Sequence, residues 1–501
     1  MPKLSRRTFI LGSVAAGLLT MPGIATAALR YPFELGVASG DPRPDGMVLW
    51  TRLAPAPLDV GGGMGTANVA VQWEISKDAN FATIAASGTE TAVAGEAHSV
   101  HAEPRGLAAG TEYYYRFKTG EHVSPVGRTK TAPAAGVEPA SVTFAMASCA
   151  HFEEGWYHAY RGIANDDPDL VLFLGDYMYE KQSGQSTKVR GYVDFDETDT
   201  LDEYRVRYAQ HKTDPYLQAA HAAAPWLAVF DDHELKNNWW GYQSDVTATR
   251  KQAAFQAFWE NMPMPKSMKP ANAAIPLYRR VGWGSLARFH MMDTRQYRWK
   301  QAPNNNNTNC TELNRTDRTL TGVAQEKWLL DGLAAGGSRW DFLGQQVFFA
   351  SQDNDGAAST CDVNEDAWDG YPASRKRIAQ GIVDRHVRNP IVLTGDVHRH
   401  WANDLRVNYF DHASPLFGSE LVTTSVTSNG GTGTPAGLDK NPHLHYVANK
   451  RGYVRVTFTP AQLTAEFMTV SSVFEKDPAK VTIGVEKRYV VQDGVAGLHS
   501  A

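Results

Sequence analysis

Residues 169–180 have the sequence DLVLFLGDYMYE, in which a short apolar run is followed by glycine, aspartate and two tyrosines. No polar residue interrupts Leu170–Leu174. Continuous hydrophobicity over so few residues predicts a strand that is buried on both faces of a sheet. A buried helix is the competing interpretation of one such run, but most helices are longer. The stretch therefore predicts a strand that places Asp176 and Tyr179 just beyond its carboxyl end.

The same arrangement recurs along the chain. Apolar runs at 142–147, 226–230 and 391–393 lead into the polar motifs Ser148-Cys149, Asp231-Asp232-His233-Glu234 and Gly395-Asp396-Val397-His398. Another run, Val347–Ala350, also predicts a buried strand, and helix-like segments at 199–224 and 324–335 lie between the runs. Ligands bind outside the carboxyl ends of strands in open α/β sheets. We therefore predict an α/β or layered αββα structure whose polar motifs meet in one crevice.

The side chains in these motifs indicate metal ions. Several carboxylates in one place cannot all stay ionised without a cation, because like charges raise their pKa values. A bound ion removes that conflict. Thiolate, phenolate and imidazole ligands favour a transition metal, whereas carboxylate and amide oxygens suit calcium or magnesium. We expect a mixed pair of ions, and two metals about 3.5–4 Å apart can clamp both oxygens of a phosphoryl transfer.

Each motif taken alone has a simpler structural explanation. Carboxylates such as those of 231–234 suit a helix N-terminus, and the motifs at 175–176 and 395–398 suit polar turns at strand exits. Tyr179 alone is more often a packed core tyrosine, and Cys149 alone a buried inert thiol. Their repeated position after buried strands favours a shared site.

Residues 1–27 have the features of a twin-arginine signal peptide. Arg6-Arg7 precede an apolar run that is too short to span a bilayer stably. Ala25-Thr26-Ala27 matches a small-residue cleavage site, so we expect the mature protein to begin near Ala28. An ordinary signal peptide with two arginines is the alternative. No later segment is long enough to cross a membrane, which predicts a periplasmic or extracellular protein that meets the twin-arginine translocase during export.

Residues 28–135 predict an immunoglobulin-like β-sandwich. Val69–Ile75 and Tyr113–Lys118 alternate apolar and polar residues, as half-buried strands do. Leu107 and the following Gly110–Tyr113 resemble a tyrosine corner. The segment at 131–136 predicts a linker, so we place the second domain at 136–501. The overall prediction is an α+β or α/β chain, with the sandwich followed by a layered αββα domain.

Cysteine count and net charge add two constraints. An odd number of cysteines in an exported protein leaves one unpaired, and here there are three. Cys310 and Cys361 lie in polar, loop-like stretches, which predicts a disulfide between them and a free Cys149. The net charge of -5 gives no basic footprint of a nucleic-acid-binding protein.

The longer motifs resemble those of the PhoD family of alkaline phosphatases and phosphodiesterases, which are related to the metallophosphoesterases. The resemblance extends over nearly the whole chain after residue 27. It rests on FELGVASGDPRPDGMVLWTRLAP at 33–55, SCAHFEEGWY at 148–157, DLVLFLGDYMYE at 169–180, the segment 204–239, MDTRQYR at 292–298, WDGYPASR at 368–375 and LTGDVHRHW at 393–401.

What the resemblance implies is a site for Fe³⁺ and Ca²⁺. By position, the ferric ion would be bound by Cys149, Asp176, Tyr179 and His398. Asp176 would bridge to the calcium ion, which would also be held by Asp232, Asn238 and Asp396. Asn237 is the alternative to Asn238. Cys149 stands where ordinary metallophosphoesterases have an Asp-x-His motif, and Asp232-His233-Glu234 stands in place of Asn-His-Glu.

The implied activity is hydrolysis of phosphate mono- and diesters by a metal-bound hydroxide, with His233 contacting the phosphate or protonating the leaving group. A phosphate ester is the expected substrate, and nucleic acid would be a partner only as a diester. One alternative is a phospholipase D-like phosphodiesterase acting on phospholipid head groups. A different class of alternative is a non-catalytic exported binding protein, but such a protein should have lost several of these ligands.

Overall fold

A computed structural model describes residues 30–501 apart from 186–187, 194–195, 304–309, 355–360, 412, 434 and 436–437. The predicted signal peptide, residues 1–27, lies outside the described residues. In the part of the chain that is described, no helix combines the length and the apolar character that a membrane span requires.

The strands, numbered in chain order, form three sheets in the described residues. Across the ten-stranded sheet lie β22 (His499–Ser500), β21 (Ile483–Gln492), β20 (Gln462–Val470), β19 (Gly452–Phe458), β9 (Val142–Ala147), β10 (Leu170–Leu174), β11 (Pro225–Val229), β1 (Val37–Arg43), β2 (Gly46–Arg52) and β5 (Ser99–Ala102). The seven-stranded sheet contains β12 (Arg279–Trp283), β13 (Ala287–Met291), β14 (Trp340–Gly344), β15 (Pro390–Thr394), β17 (Leu416–Val422), β16 (His400–Arg406) and β18 (Leu444–Ala448). The five-stranded sheet contains β4 (Ile84–Ala92), β3 (Val69–Ser76), β6 (Glu112–Thr119), β7 (His122–Val123) and, paired with β6, β8 (Gly127–Lys130).

The α-helices of the described chain are α1 (His158–Asn165), α2 (Leu201–Lys212), α3 (Pro215–Ala223), α4 (Ala248–Asn261), α5 (Gly322–Ala334) and α6 (Pro372–Asp384). The segment predicted as one helix from 199 to 224 is two helices. The break occurs because Asp214 accepts the N–H groups of Tyr216 and Leu217 as an N-cap, and Pro215 occupies the first helical position.

The two large sheets pack face to face through four phenylalanines. Phe144 on β9 and Phe458 on β19 meet Phe289 on β13 and Phe342 on β14, with ring centroids 5.0–5.9 Å apart. Helices α1–α4 contribute to the core cluster on the ten-stranded side, and α5 and α6 to the cluster on the seven-stranded side. The predicted layered αββα arrangement is confirmed.

The N-terminal sandwich shares a sheet with the rest of the chain. The five-stranded sheet packs on β1, β2 and β5 through a buried cluster that includes Val37, Leu49, Ile75, Tyr115 and Phe117. The Tyr113 hydroxyl accepts the N–H of Ala108 at 3.0 Å, which confirms the tyrosine corner. β1 also pairs in parallel with β11, Gly40 opposite Trp226. One layer of the sandwich is therefore the edge of the ten-stranded sheet.

The prediction of a strand at Val347–Ala350 is wrong. These residues are buried, but they follow the end of β14 at Gly344 and have no regular structure. The N–H groups of Phe349 and Ala350 donate to the Glu420 carboxylate at 2.7 and 2.9 Å, so a side chain replaces the neighbouring strand as their acceptor. Continuous hydrophobicity here indicated burial without regular structure.

We expect Phe342→Ala to lower the free energy of unfolding by about 3–5 kcal/mol, because its ring fills the space between the two sheets. Phe410→Ala is the matched control, since the Phe410 side chain is 56% exposed and should tolerate removal. Chemical denaturation of the full chain measures both. Equal effects of the two substitutions would show that the inter-sheet cluster does not stabilise the fold.

Candidate metal centre

The predicted site residues follow four strand ends that meet at one edge of the two packed sheets. β9, β10 and β11 are parallel neighbours in the ten-stranded sheet, whereas β15 belongs to the seven-stranded sheet. Ligand atoms of Cys149, Asp176 and His398 nevertheless lie within 4.8 Å of one another. The crevice thus lies at the junction of two sheets, and the polar motifs meet there as predicted.

Two glycines permit this close approach. A Cβ atom on Gly175 would lie 2.4 Å from Asp231 Cβ, and the residue has a φ of +105°. A Cβ atom on Gly395 would lie 2.8 Å from the Ser148 side chain. The Gly-Asp pairs seen in the sequence therefore bring neighbouring loops together before their aspartates enter the site.

Several site residues have left-handed backbone conformations, which residues other than glycine rarely adopt. Positive φ angles of 53–62° occur at Cys149, Asp176, Asn238, Asp396 and His398. Such strain persists only where the surroundings hold it in place, and it clusters at functional sites.

Tyr179 lies at the centre of the first group of candidate ligands. Its hydroxyl donates to Asp176 Oδ2 at 3.0 Å and lies 3.2 Å from His398 Nε2. The Ser428 hydroxyl donates to the Tyr179 oxygen at 2.7 Å. His398 Nδ1 lies 2.8 Å from the carbonyl oxygen of Asn429, which accepts its proton and leaves the Nε2 lone pair facing the group.

A second set of candidate ligands continues from the first. Atoms of Asp176, Asp232 and His233 lie within 4.8 Å of one another, as do atoms of Asp231, Asp232 and Asp396. Asn238 lies beside this set, because its backbone N–H donates to Asp232 Oδ2 at 2.7 Å. Asp176 belongs to both sets, so the thiol, imidazole and carboxylate groups form one continuous array.

His233 is held between an acidic partner and an aromatic ring. Its Nδ1 lies 2.7 Å from Glu180 Oε2, and its ring stacks on Tyr179 with centroids 4.1 Å apart. Burial lowers the pKa of His233, but the carboxylates of Glu180, Asp232 and Asp176 together outweigh burial and raise that pKa well above its usual value. The Glu180 contact therefore orients the imidazole and holds a proton on Nδ1.

Glu234 joins the loops that follow β10 and β11. Its buried carboxylate accepts the backbone N–H groups of Asp176, Tyr177 and Asp231 at 3.1, 2.5 and 2.8 Å. The sequence placed Glu234 in a site motif without giving it this role. Its function is to hold the backbone of two neighbouring candidate ligands.

Arg295 and Asp366 are site residues that the sequence analysis did not assign. Arg295 Nε donates to Asp231 Oδ1 at 2.5 Å, and Arg295 Nη2 lies 2.9 Å from Asp366 Oδ2. Arg295 occurs in the quoted motif at 292–298, which was the available signal. Asp366 lies in no motif, and only the folded chain brings it to the site. Asp231 lies in the motif at 231–234, but that motif alone does not indicate its pairing with Arg295.

The donor set fits cations. Burial raises the pKa values of Asp176, Asp396, Cys149 and Tyr179 well above normal, and neighbouring acidic groups raise them further. Asp232 Oδ1 is buried without a hydrogen-bond partner among the described residues, as is the second oxygen of Asp231. A cation would favour the ionised forms and satisfy these oxygens.

The other two cysteines lie apart from this centre. A disulfide joins Cys310 and Cys361, with Cα atoms 5.6 Å apart. Cys149 is buried as a free thiol, and its Sγ donates to Ser148 Oγ at 3.2 Å.

Two models of known protein families match this chain. The family model described as PhoD-like phosphatase matches residues 144–467, which contain all of the candidate ligands. The chain belongs to the PhoD-like phosphatase family. The model for the N-terminal domain of PhoD-like phosphatases matches residues 19–133, the region of the sandwich.

Two relatives of this PhoD-like phosphatase cover most of its length. It is 44% identical over 484 residues to alkaline phosphatase D of Bacillus subtilis (strain 168), covering 93% of this chain and 82% of that protein. It is also similar to a solved structure described as the structure of PhoD, with 42% identity and a TM-score of 0.89 over 96% of this chain and 93% of that one. The predicted family, fold and phosphoric ester hydrolase class are confirmed.

We expect Glu234→Ala to lower the free energy of unfolding by about 3 kcal/mol or more, since each buried N–H without an acceptor costs about 1–3 kcal/mol. Phosphatase activity should fall at least about tenfold, because two loops of the site lose their common anchor. Glu234→Gln retains one acceptor oxygen, so its free energy of unfolding and its activity should lie between those of wild type and Glu234→Ala. Denaturation and steady-state kinetics measure these effects, and wild-type values for Glu234→Ala would exclude the anchoring role.

Proposed function

We propose that this PhoD-like phosphatase hydrolyses phosphate mono- and diesters at a centre that holds Fe³⁺ and Ca²⁺. The observation that carries the proposal is the continuous array in which Asp176 belongs to both sets of candidate ligands. A carboxylate in that position can serve two ions at once. One set offers sulfur, phenol and imidazole donors, and the other offers mainly carboxylates, which supports two unlike ions.

The proposed ligands follow this division. Ferric iron would be held by Cys149, Asp176, Tyr179 and His398, and calcium by Asp176, Asp232, Asn238 and Asp396. When bound, the ions offset charge on the phosphoryl oxygens in the transition state and lower the pKa of the attacking water. The orphaned Asp232 oxygen and the orientation of His398 Nε2 support these assignments.

His233 is the proposed catalytic acid. Glu180 accepts the Nδ1 proton at 2.7 Å, which orients the ring and favours the charged imidazole. The Nε2 proton is then available for the leaving oxygen of the ester. Stacking on Tyr179 restricts the ring further. Glu180 would thus act as a positioning residue, and His233 as the group that touches substrate.

We also propose export by the twin-arginine route, with residues 1–27 as the signal and a periplasmic or extracellular mature protein. The Cys310–Cys361 disulfide supports an oxidising compartment. The proposed organisation is a sandwich over 28–135 and a catalytic domain over 136–501. In this division β1, β2 and β5 also form the edge of the catalytic sheet.

The function is tested on the purified full chain by elemental mass spectrometry and by rates on a phosphomonoester, a bis-ester and phosphatidylcholine, with and without chelator. We expect bound iron and calcium, and mono- and diester rates that fall at least about tenfold after metal removal. Preference for phosphatidylcholine would favour the head-group alternative. Full activity in protein free of both metals would contradict the proposal.

We expect the iron-loaded protein to be coloured, because a phenolate bound to ferric iron absorbs visible light. Tyr179→Phe should remove the band. Tyr177→Phe is the matched control, since the Tyr177 hydroxyl is also buried but pairs with His221 Nε2 at 2.8 Å, and it should keep the colour. Absorption spectra at equal iron content measure this. An unchanged band in Tyr179→Phe would remove Tyr179 from the ligand set.

A further inference from the structure

Arg295 is a fully buried cation surrounded by four carboxylates. It hydrogen-bonds to Asp231 and pairs with Asp366 at the distances given above, and its Nη2 also lies 3.7 Å from Asp232 Oδ1 and 4.0 Å from Asp396 Oδ1. The last two distances are too long for hydrogen bonds but short enough for strong Coulomb interaction at a buried site. Asp232 and Asp396 are the two carboxylates assigned to calcium alone, whereas Asp176 is assigned to both ions.

The placement of Nη2 sets it apart from an ordinary ion-pair donor. It has no hydrogen bond of good geometry among the described residues, although Nε and Nη1 each have one. A buried donor in this position interacts with the calcium-side carboxylates mainly through its charge. That charge is permanent, since a guanidinium does not lose its proton in proteins.

We propose that Arg295 is a resident counterion for the calcium side of the site. It stabilises the buried carboxylates when calcium is absent, and it weakens calcium binding because it places a positive charge beside the calcium ligands. The inference rests on the proposed calcium assignment and adds to it the control of affinity. Calcium would then be an exchangeable ion on a preformed site, rather than an ion without which the site collapses.

Arg298 provides the comparison. It is also fully buried, and its Nη1 pairs with Asp366 Oδ1 at 2.6 Å. Within the described residues, Asp366 is the carboxylate that it pairs with, and it makes no ion pair with Asp231, Asp232 or Asp396. The two arginines share burial and a partner, and they differ in access to the calcium ligands.

The test uses the full-length, iron-loaded protein after calcium removal with EGTA. Calorimetric titration gives the dissociation constant for calcium, and thermal unfolding with and without calcium gives the shift that calcium produces. The variants are Arg295→Met, Arg295→Lys and Arg298→Met. Arg295→Lys keeps the charge, whereas the two methionine variants remove it from one arginine or the other.

We expect Arg295→Met to bind calcium at least about tenfold more tightly than wild type, since a like charge is removed beside the ion. The unfolding temperature of Arg295→Met should be lower than that of wild type mainly when calcium is absent. Calcium should therefore raise the unfolding temperature of this variant more than that of wild type. Arg295→Lys and Arg298→Met should keep the dissociation constant within about threefold. Arg298→Met should lose stability equally with and without calcium.

Equal calcium affinity in Arg295→Met and Arg298→Met would overturn the proposal, because both arginines would then be structural ion pairs. Failure of Arg295→Met to fold even with calcium would overturn it too, since calcium would not replace the lost charge. Folding only with calcium would support it. If wild-type protein binds no calcium, the proposed calcium assignment itself fails, and the titration shows this before any variant is compared.

Discussion

The site depends on the face-to-face contact of two sheets. The phenylalanine cluster that joins β9 and β19 to β13 and β14 fixes how far one sheet lies along the other. That alignment brings the loop after β15 against the loops after β9 and β10, where a Cβ atom on Gly395 would lie only 2.8 Å from the Ser148 side chain. His398 and Asp396 enter the site only because an apolar contact some distance away holds their strand in place.

The second constraint is charge. Among the residues that the structure describes, seven acidic side chains lie at or beside the centre: Asp176, Glu180, Asp231, Asp232, Glu234, Asp366 and Asp396. The chain offsets them in different ways. Glu234 takes three backbone N–H groups, Glu180 takes His233, and Asp366 lies between Arg295 and Arg298. Asp232 and Asp396 lie near the Arg295 guanidinium without hydrogen bonds to it. The oxygens of Asp176, Asp232 and Asp396 are therefore only partly compensated, which makes the site suitable for metal ions.

The strands and the site residues are predictable from the sequence where a local pattern carries the information. The run at 170–174 and its equivalents identified the strands and the residues beyond them, because burial on both faces requires uninterrupted hydrophobicity. The prediction of a strand failed where the hydrogen-bond partner is distant in sequence. Val347–Ala350 is equally apolar, but the Glu420 carboxylate accepts the N–H groups of Phe349 and Ala350. Asp366 lies in no motif, and its role follows only from contacts in the folded chain. Glu180, Asp231 and Arg295 lie within the motifs, but their roles depend on geometry that the motifs do not give.

The parallel pairing of β1 with β11 affects the order in which the chain can fold. β1 belongs to residues 37–43, yet its neighbour β11 begins at residue 225, and β9 obtains its other neighbour from β19, residues 452–458. The ten-stranded sheet therefore cannot be completed while the chain is still being made, and its central strands keep an open edge until the last tenth of the sequence is available. Contacts so far apart in sequence favour slow folding after synthesis. The chain can therefore reach its complete fold only after it has left the ribosome. Any partner or compartment that accepts only folded protein would have to receive it after synthesis.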